Sequence, residues 1–329
     1  MTPALDDLAR QVLVADHRAI AQSITMVESG DPAAADLHAR LFPSTGRAFT
    51  IGITGPPGAG KSTLVDHLAA GYREQGLSVG VLAVDPSSPF TRGALLGDRV
   101  RMRSFAADPG VFVRSMANRG HVGGIAMATP SAVRILDAAG FDRVIVETVG
   151  VGQSEIDVVG AVDCTMVVEV PGMGDVIQTM KAGLMEIADR FVINKADREG
   201  AQRIARELRR MLHEQGVDMQ EGEVLMTVAN RGEGITELIA AMEGFLERQQ
   251  TSGALEHRRL DNLSREVVTF VGEQARQRLV GTLDQGLPGP VVAALRERSR
   301  DPESLAVEIV DRGLGEPSGA SSGRARVPQ

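Results

Sequence analysis

The chain has no tryptophan, one tyrosine (Tyr72), nine phenylalanines and one cysteine (Cys164). So few rings leave no stacking platform for single-stranded nucleic acid. A lone cysteine cannot form an intrachain disulfide, and with no secretory signal in Met1–Gly30 the expectation is a reducing, cytoplasmic setting. Cys164 sits before a short apolar run and reads as a small buried filler. Positive charge is also in deficit. Lys and Arg total 35 against 43 Asp and Glu, a net charge of -8, which disfavours general binding to nucleic acid or anionic lipid. No run approaches the ~18 apolar residues of a membrane span. The six histidines (His17, His38, His67, His121, His213 and His257) are scattered without metal-ligand spacing. His121, in a Gly-rich stretch, reads first as a loop histidine.

What is present is a periodic α/β pattern over 329 residues. Residues 1–45 read as a helical extension, with Leu5, Leu8, Ala9 and Val12, then Ile20, Ile24 and Val27, at helical spacing. From residue 46 to 250, short β-rich runs alternate with helical stretches: Phe49–Thr54, Val79–Val84, Val111–Arg114, Val144–Glu147, Thr165–Val170, Phe191–Ile193 and Val224–Val228. Apolar runs separated by helices imply a mostly parallel sheet covered on both faces. Residues 251–312 read as a charged helical arm broken at Leu287-Pro288-Gly289-Pro290, and 313–329 as a disordered tail.

Gly55-Pro56-Pro57-Gly58-Ala59-Gly60-Lys61-Ser62 fits G-x-x-x-x-G-K-[ST], follows the run Phe49–Thr54 and opens a helix through Leu64 and Leu68. Glycines let backbone N–H groups, including those of Ala59 and Thr63, close around phosphate oxygens. The helix N-terminus adds a favourable dipole. Lys61 supplies charge to the β- and γ-phosphates, and Ser62 a hydroxyl to Mg²⁺. Asp85 and Glu147 end the second and fourth runs, where an acidic residue can hold Mg²⁺ or cap a turn. Asn194-Lys195-Ala196-Asp197 follows the sixth run. A carboxylate at Asp197 accepts from the guanine N1–H and amine, whereas adenine presents an acceptor at N1, so GTP and GDP are the expected nucleotides. Thr227–Asn230, with Ala229 at its centre, can offer a backbone N–H to the guanine O6.

Further segments occur in order with these: Val84–Pro89, Gly97–Met102, Arg114–His121 and Glu147–Glu155. Together they resemble the MeaB/ArgK/MMAA GTPases, over roughly residues 5–250. The resemblance implies a SIMIBI-type P-loop fold. It also implies a homodimer joined through the C-terminal helices, and a GTPase chaperone that gates adenosylcobalamin loading and protects methylmalonyl-CoA mutase or a related acyl-CoA mutase. A cobalamin adenosyltransferase is an implied further partner. The implied Mg²⁺ and switch residues are Ser62, Asp85, Asp98 and Glu147, with a third switch in Pro171–Gly183 carrying Asp175, Gln178 and Lys181. Arg92 departs from the family pattern, where glycine is expected.

Read from the residues alone, Gly150 can offer an N–H to a γ-phosphate and Gly152 lets the loop rearrange. Gln153 either orients water or simply begins the next helix. Asp175 and Gln178 have capping-box spacing, so helix capping stands beside the switch reading. Two other functions compete with this reading. A metal-inserting GTPase needs a Cys/His cluster that this chain lacks. An ArgK-like protein kinase needs a protein-substrate site that no residue set marks.

Overall fold

The computed structural model describes residues 2–85, 105, 107–117, 124–148, 162–172, 188–214, 224–283 and 289–314. It forms two compact units, Met1–Asn262 and Leu263–Gln329.

The first unit opens with three amphipathic helices, α1 (Thr2–Leu13), α2 (His17–Glu28) and α3 (Ala33–Leu41). Asp16 caps α2, its carboxylate accepting the Ala19 N–H at 2.8 Å, and positive-φ Gly30 ends that helical segment. Seven strands follow: β1 (Phe49–Thr54), β2 (Val79–Asp85), β3 (Val111–Ala117), β4 (Arg143–Thr148), β5 (Cys164–Glu169), β6 (Arg190–Ile193) and β7 (Val224–Met226). They make one parallel sheet in the order β3-β2-β4-β1-β5-β6-β7. All seven runs expected from the sequence are strands, the first with the expected ends and the others with an end shifted by one to three residues.

Among the described residues, four helices of the strand–helix alternation cover this sheet: α4 (Lys61–Glu74), α5 (Gly124–Ala138), α6 (Ala201–Glu214) and α7 (Ile235–Thr251). Strand alternation sorts the core onto two faces. Ile51, Ile53, Ile145, Met166 and Val168 pack with Leu64 and Leu68 of α4 and Leu238 and Met242 of α7. On the other face Leu82, Val84, Val144 and Val146 pack with α5 and with Leu8, Ile20, Ile24 and Leu37 of the N-terminal helices. Val167, Phe191 and Ile193 pack with α6. The N-terminal helices therefore complete the core beneath α5, each burying a stripe of ~1.5–3 kcal/mol side chains. Cys164 is fully buried in β5, where burial pushes its thiol well above the ordinary range, as a filler residue requires.

Buried carboxylates tie the N-terminal ends of the strands. Asp137 of α5 accepts N–H groups from Gly46, Arg47 and Ala48 ahead of β1. Helix α8 (Ala254–Leu283) begins in this unit. Its Arg258 forks onto Asp189 at 2.6 and 2.7 Å, and Arg259 forks onto Asp163 at 2.7 Å twice. Asp163 also accepts the Thr50 N–H at 2.9 Å. Bidentate pairs of this kind fix orientation as well as adding energy.

The second unit holds the remainder of α8 with α9 (Gly289–Arg296) and α10 (Pro302–Leu314). Asp301 caps α10, accepting from the Ser304 N–H at 2.9 Å and its hydroxyl at 2.6 Å. Residues 315–329 of the expected tail lie outside the described residues. Among the described residues no helix is long and apolar enough to cross a membrane.

Arg259→Ala would leave the 4% exposed Asp163 carboxylate without its cation. The expected cost is ~2–4 kcal/mol, because an unpaired buried charge remains. Urea unfolding of the variant and the parent, compared at one pH, measures it.

Candidate functional site

The site is the C-terminal edge of the sheet around β1. The chain winds from β1 out through β2 and β3, returns through β4, and crosses to β5 on the other side of β1. That reversal places the end of β1 at the switch point where open α/β sheets bind ligands. The loop Gly55–Gly60 leaves β1 there and enters α4 at Lys61. Gly55 has φ +143°, and a Cβ on it would lie 2.1 Å from the Val168 carbonyl oxygen of β5, so no side chain fits. Gly60 has φ +88°, and a Cβ there would lie 2.5 Å from Asn194 Nδ2. Glycine is required at both positions, by backbone conformation and by contact.

Lys61 is 6% exposed and folds back under the loop. Its Nζ donates to the carbonyls of Gly55 at 2.6 Å and Pro56 at 3.2 Å. Ser62 Oγ donates to Glu147 Oε1 at 2.6 Å, which joins the first turn of α4 to β4. The two side chains present hard oxygens at one point, a donor set suited to Mg²⁺. Ala59 is buried, and Gly58 and Thr63 are exposed on the rim. Asp85 is the last residue of β2, its backbone paired with Ala117, and its side chain lies outside the described residues. Asp98, Gly150, Gln153, Asp175, Gln178 and Lys181 lie outside them as well.

The Asn194–Asp197 loop touches the phosphate loop directly. Asn194 is buried, and its Nδ2 donates to the Ala59 carbonyl at 2.7 Å. Its Oδ1 accepts from Thr227 Oγ1 and from the Ala229 N–H, each at 3.1 Å. The Ala229 N–H expected at the guanine O6 is thus given to Asn194 in this structure. Lys195 holds φ +55° and reaches across to the Gly58 carbonyl at 2.6 Å. Asp197 is exposed and pairs with Arg231 Nη2 at 3.3 Å. Arg231 comes from the 3₁₀ turn Ala229–Arg231 after β7, so a cation stands beside the expected guanine reader.

Sequence reasoning missed Glu169, the last residue of β5, which is 2% exposed beside Lys61. Burial pushes its carboxyl up from the ordinary 4.5 to about 7, opposed by the Val170 N–H and the Lys61 charge. The signal was a single acid inside the apolar run Thr165–Val170.

A parallel sheet with Gly55–Ser62 between β1 and α4, and Asn194–Asp197 at the end of a neighbouring strand, defines a P-loop GTPase fold. The family profile described as methylmalonyl Co-A mutase-associated GTPase MeaB matches residues 20–284. The chain belongs to that family. A Pyrococcus abyssi relative is 44% identical over 315 residues, covering 94% of this chain and 97% of its own. GTPase ArgK of Escherichia coli is 38% identical over 263 residues, covering 77% and 79%. Among solved structures, one of a LAO/AO transport system kinase superposes with TM-score 0.70 at 27% identity, covering 95% of this chain and 98% of that one.

The Glu169 shift has a measurable consequence. Between ~4.5 and about 7 the folded chain keeps a proton that the unfolded chain has lost, so stability falls as pH rises through that window and levels above it. Glu169→Gln removes this loss. Between pH 5 and pH 8 the parent should lose ~2 kcal/mol relative to the variant, read from urea midpoints at the two pH values.

Proposed function

We propose that this chain hydrolyses GTP with Mg²⁺ in the cytoplasm and acts as a nucleotide-gated chaperone of an adenosylcobalamin-dependent acyl-CoA mutase. The observation that carries the nucleotide part is the bond from Asn194 to the Ala59 carbonyl, which joins the expected base loop to the phosphate loop. On this reading Lys61 leaves the Gly55 and Pro56 carbonyls and takes the β- and γ-phosphates. The N–H groups of Gly58 to Thr63 line those phosphates. Asp197 reads guanine, with Arg231 orienting its carboxylate. Ser62 and Glu147 would hold Mg²⁺ together with Asp85 and Asp98. The ion, when bound, neutralises charge on the phosphates. Gly150 follows the γ-phosphate, and Gln153 orients the attacking water.

The mutase part rests on the family to which the chain belongs, whose name carries that association. In this proposal Asp175, Gln178 and Lys181 form the switch that the mutase senses, and a cobalamin adenosyltransferase is a further partner. Two copies join through α8, which exposes Leu260, Val267, Val268 and Val271 at 61–72%. Apolar side chains that open to solvent on one helix favour such an interface.

Asp197→Asn should exchange guanine for xanthine, weakening GTP and favouring xanthosine triphosphate by ~10²-fold or more in kcat/KM. Unchanged preference would remove Asp197 from the base site.

Asp175→Ala and Lys181→Ala should keep intrinsic GTP turnover and lose its stimulation by an added acyl-CoA mutase. Hydrolysis rates with and without the mutase decide this. Full stimulation in both variants, with only a lowered melting temperature for Asp175→Ala, would leave helix capping as that residue's whole role.

A further inference from the structure

Guanine carries three polar groups along the edge that Asp197 is proposed to read: the 2-amine, the N1–H and O6. The Asp197 carboxylate serves the first two. O6 is an acceptor and needs a donor. Its expected donor, the Ala229 N–H, goes to Asn194 Oδ1 at 3.1 Å. Lys195, a cation of the same loop as Asp197, turns its Nζ to the Gly58 carbonyl at 2.6 Å.

Arg231 stands where a donor to O6 is wanted. It closes the 3₁₀ turn Ala229–Arg231, two residues on from Ala229. The backbone of this turn is fixed. Its Arg231 N–H donates to the Val228 carbonyl at 2.9 Å, and the Val228 N–H to the Glu233 carbonyl at 3.0 Å. Thr227 and Ala229 are buried beneath it. Gly234 has φ +79°, and a Cβ there would lie 2.3 Å from the Met226 carbonyl oxygen. The side chains, by contrast, open to solvent: 56% of Arg231 and 36% of Asp197 is exposed, so a base can reach both. Nη2 of Arg231 donates to Asp197 Oδ2 at 3.3 Å. Nη1 lies 3.8 Å from Glu233 Oε1, beyond hydrogen-bonding distance. A guanidinium holds five N–H donors in one plane, so one that faces a carboxylate has others to give. An exposed pair of this length adds little to stability, so the fold does not depend on it.

We propose that Arg231 is a second base-reading residue, which donates to O6 of a 6-oxopurine nucleotide while it stays beside Asp197. In guanine O6 lies next to N1, on the side away from the 2-amine. A group that meets Asp197 from the turn carrying Ala229 comes from that side. Carboxylate and guanidinium then match the donors and the acceptor of the base along one edge. Adenine has the reverse pattern, with an acceptor at N1 and an amine at position 6, so each residue opposes it at one position. The inference rests on the guanine-nucleotide reading of Asp197 and deepens it, since the choice of base is shared by two side chains.

The test measures Kd for three diphosphates with the full chain and Mg²⁺, for the parent and for Arg231→Ala. GDP has all three groups. Inosine diphosphate keeps O6 and N1–H and lacks the 2-amine. 6-Thioguanosine diphosphate keeps N1–H and the 2-amine and replaces O6 by sulfur, a weak acceptor. Arg231→Ala should weaken GDP and inosine diphosphate alike, by ~10-fold, and 6-thioguanosine diphosphate much less. Equal losses for GDP and 6-thioguanosine diphosphate, with a smaller one for inosine diphosphate, would mean that Arg231 acts only through the Asp197 carboxylate, and would overturn the proposal. Equal losses for all three would make Arg231 a support of the turn and overturn it too. So would unchanged or tighter GDP binding. In each of these cases a parent that prefers GDP to ADP leaves the nucleotide site standing. A parent that binds no GDP, or binds ADP equally well, would overturn the guanine-nucleotide reading and this inference with it.

Discussion

The backbone of β1 runs so close to β5 at its exit that only glycine fits at Gly55, against the Val168 carbonyl. Everything at the site follows from that approach. It sets where the phosphate loop turns, and so where α4 starts and Lys61 points. It also brings the ends of β5 and β6 against the loop. Asn194 then reaches Ala59, Thr227 and Ala229 with one amide. Phosphate loop, base loop and the turn after β7 are therefore tied together through one side chain. A nucleotide bridging them meets a site organised before it arrives, which lowers the ordering cost of binding.

At the N-terminal end of the sheet, Asp137, Asp163 and Asp189 are each matched by several N–H donors or by an arginine fork. That end is built for stability. At the C-terminal end, Thr54 Oγ1 and Glu169 Oε1 are buried without hydrogen-bond partners among the described residues. Lys61 sits on carbonyls, and Ser62 Oγ on Glu147. Groups left short of partners cost free energy unless a ligand satisfies them. Two such groups, Thr54 and Glu169, lie where phosphates and Mg²⁺ are proposed to bind.

Much of this was legible in the sequence because it rests on local pattern. Seven apolar runs became seven parallel strands, since runs buried on both faces have few other places to go. The glycine-rich loop carried its own context, a strand before and a helix after. Glu169 was illegible because one acid in an apolar run looks like an edge or an end, and only the packing of β5 against the phosphate loop shows it buried beside Lys61. The Asn194 to Ala59 bond spans 135 residues and has no local signature. The same holds for Arg231, which meets Asp197 only because β6 and β7 are neighbours. That the N-terminal helices belong to the core under α5 was likewise beyond periodicity, which gave their apolar stripes but not the surface they cover.

On the proposed reading, a single preorganised edge of the sheet reads both phosphate and guanine. Competition between GDP and ADP for the parent chain, in the presence of Mg²⁺, addresses it most directly. The expected result is that GDP binds at least ~10²-fold more tightly, because Asp197 pairs with guanine and opposes adenine. Equal affinity for the two diphosphates would mean that this edge of the sheet does not read the base.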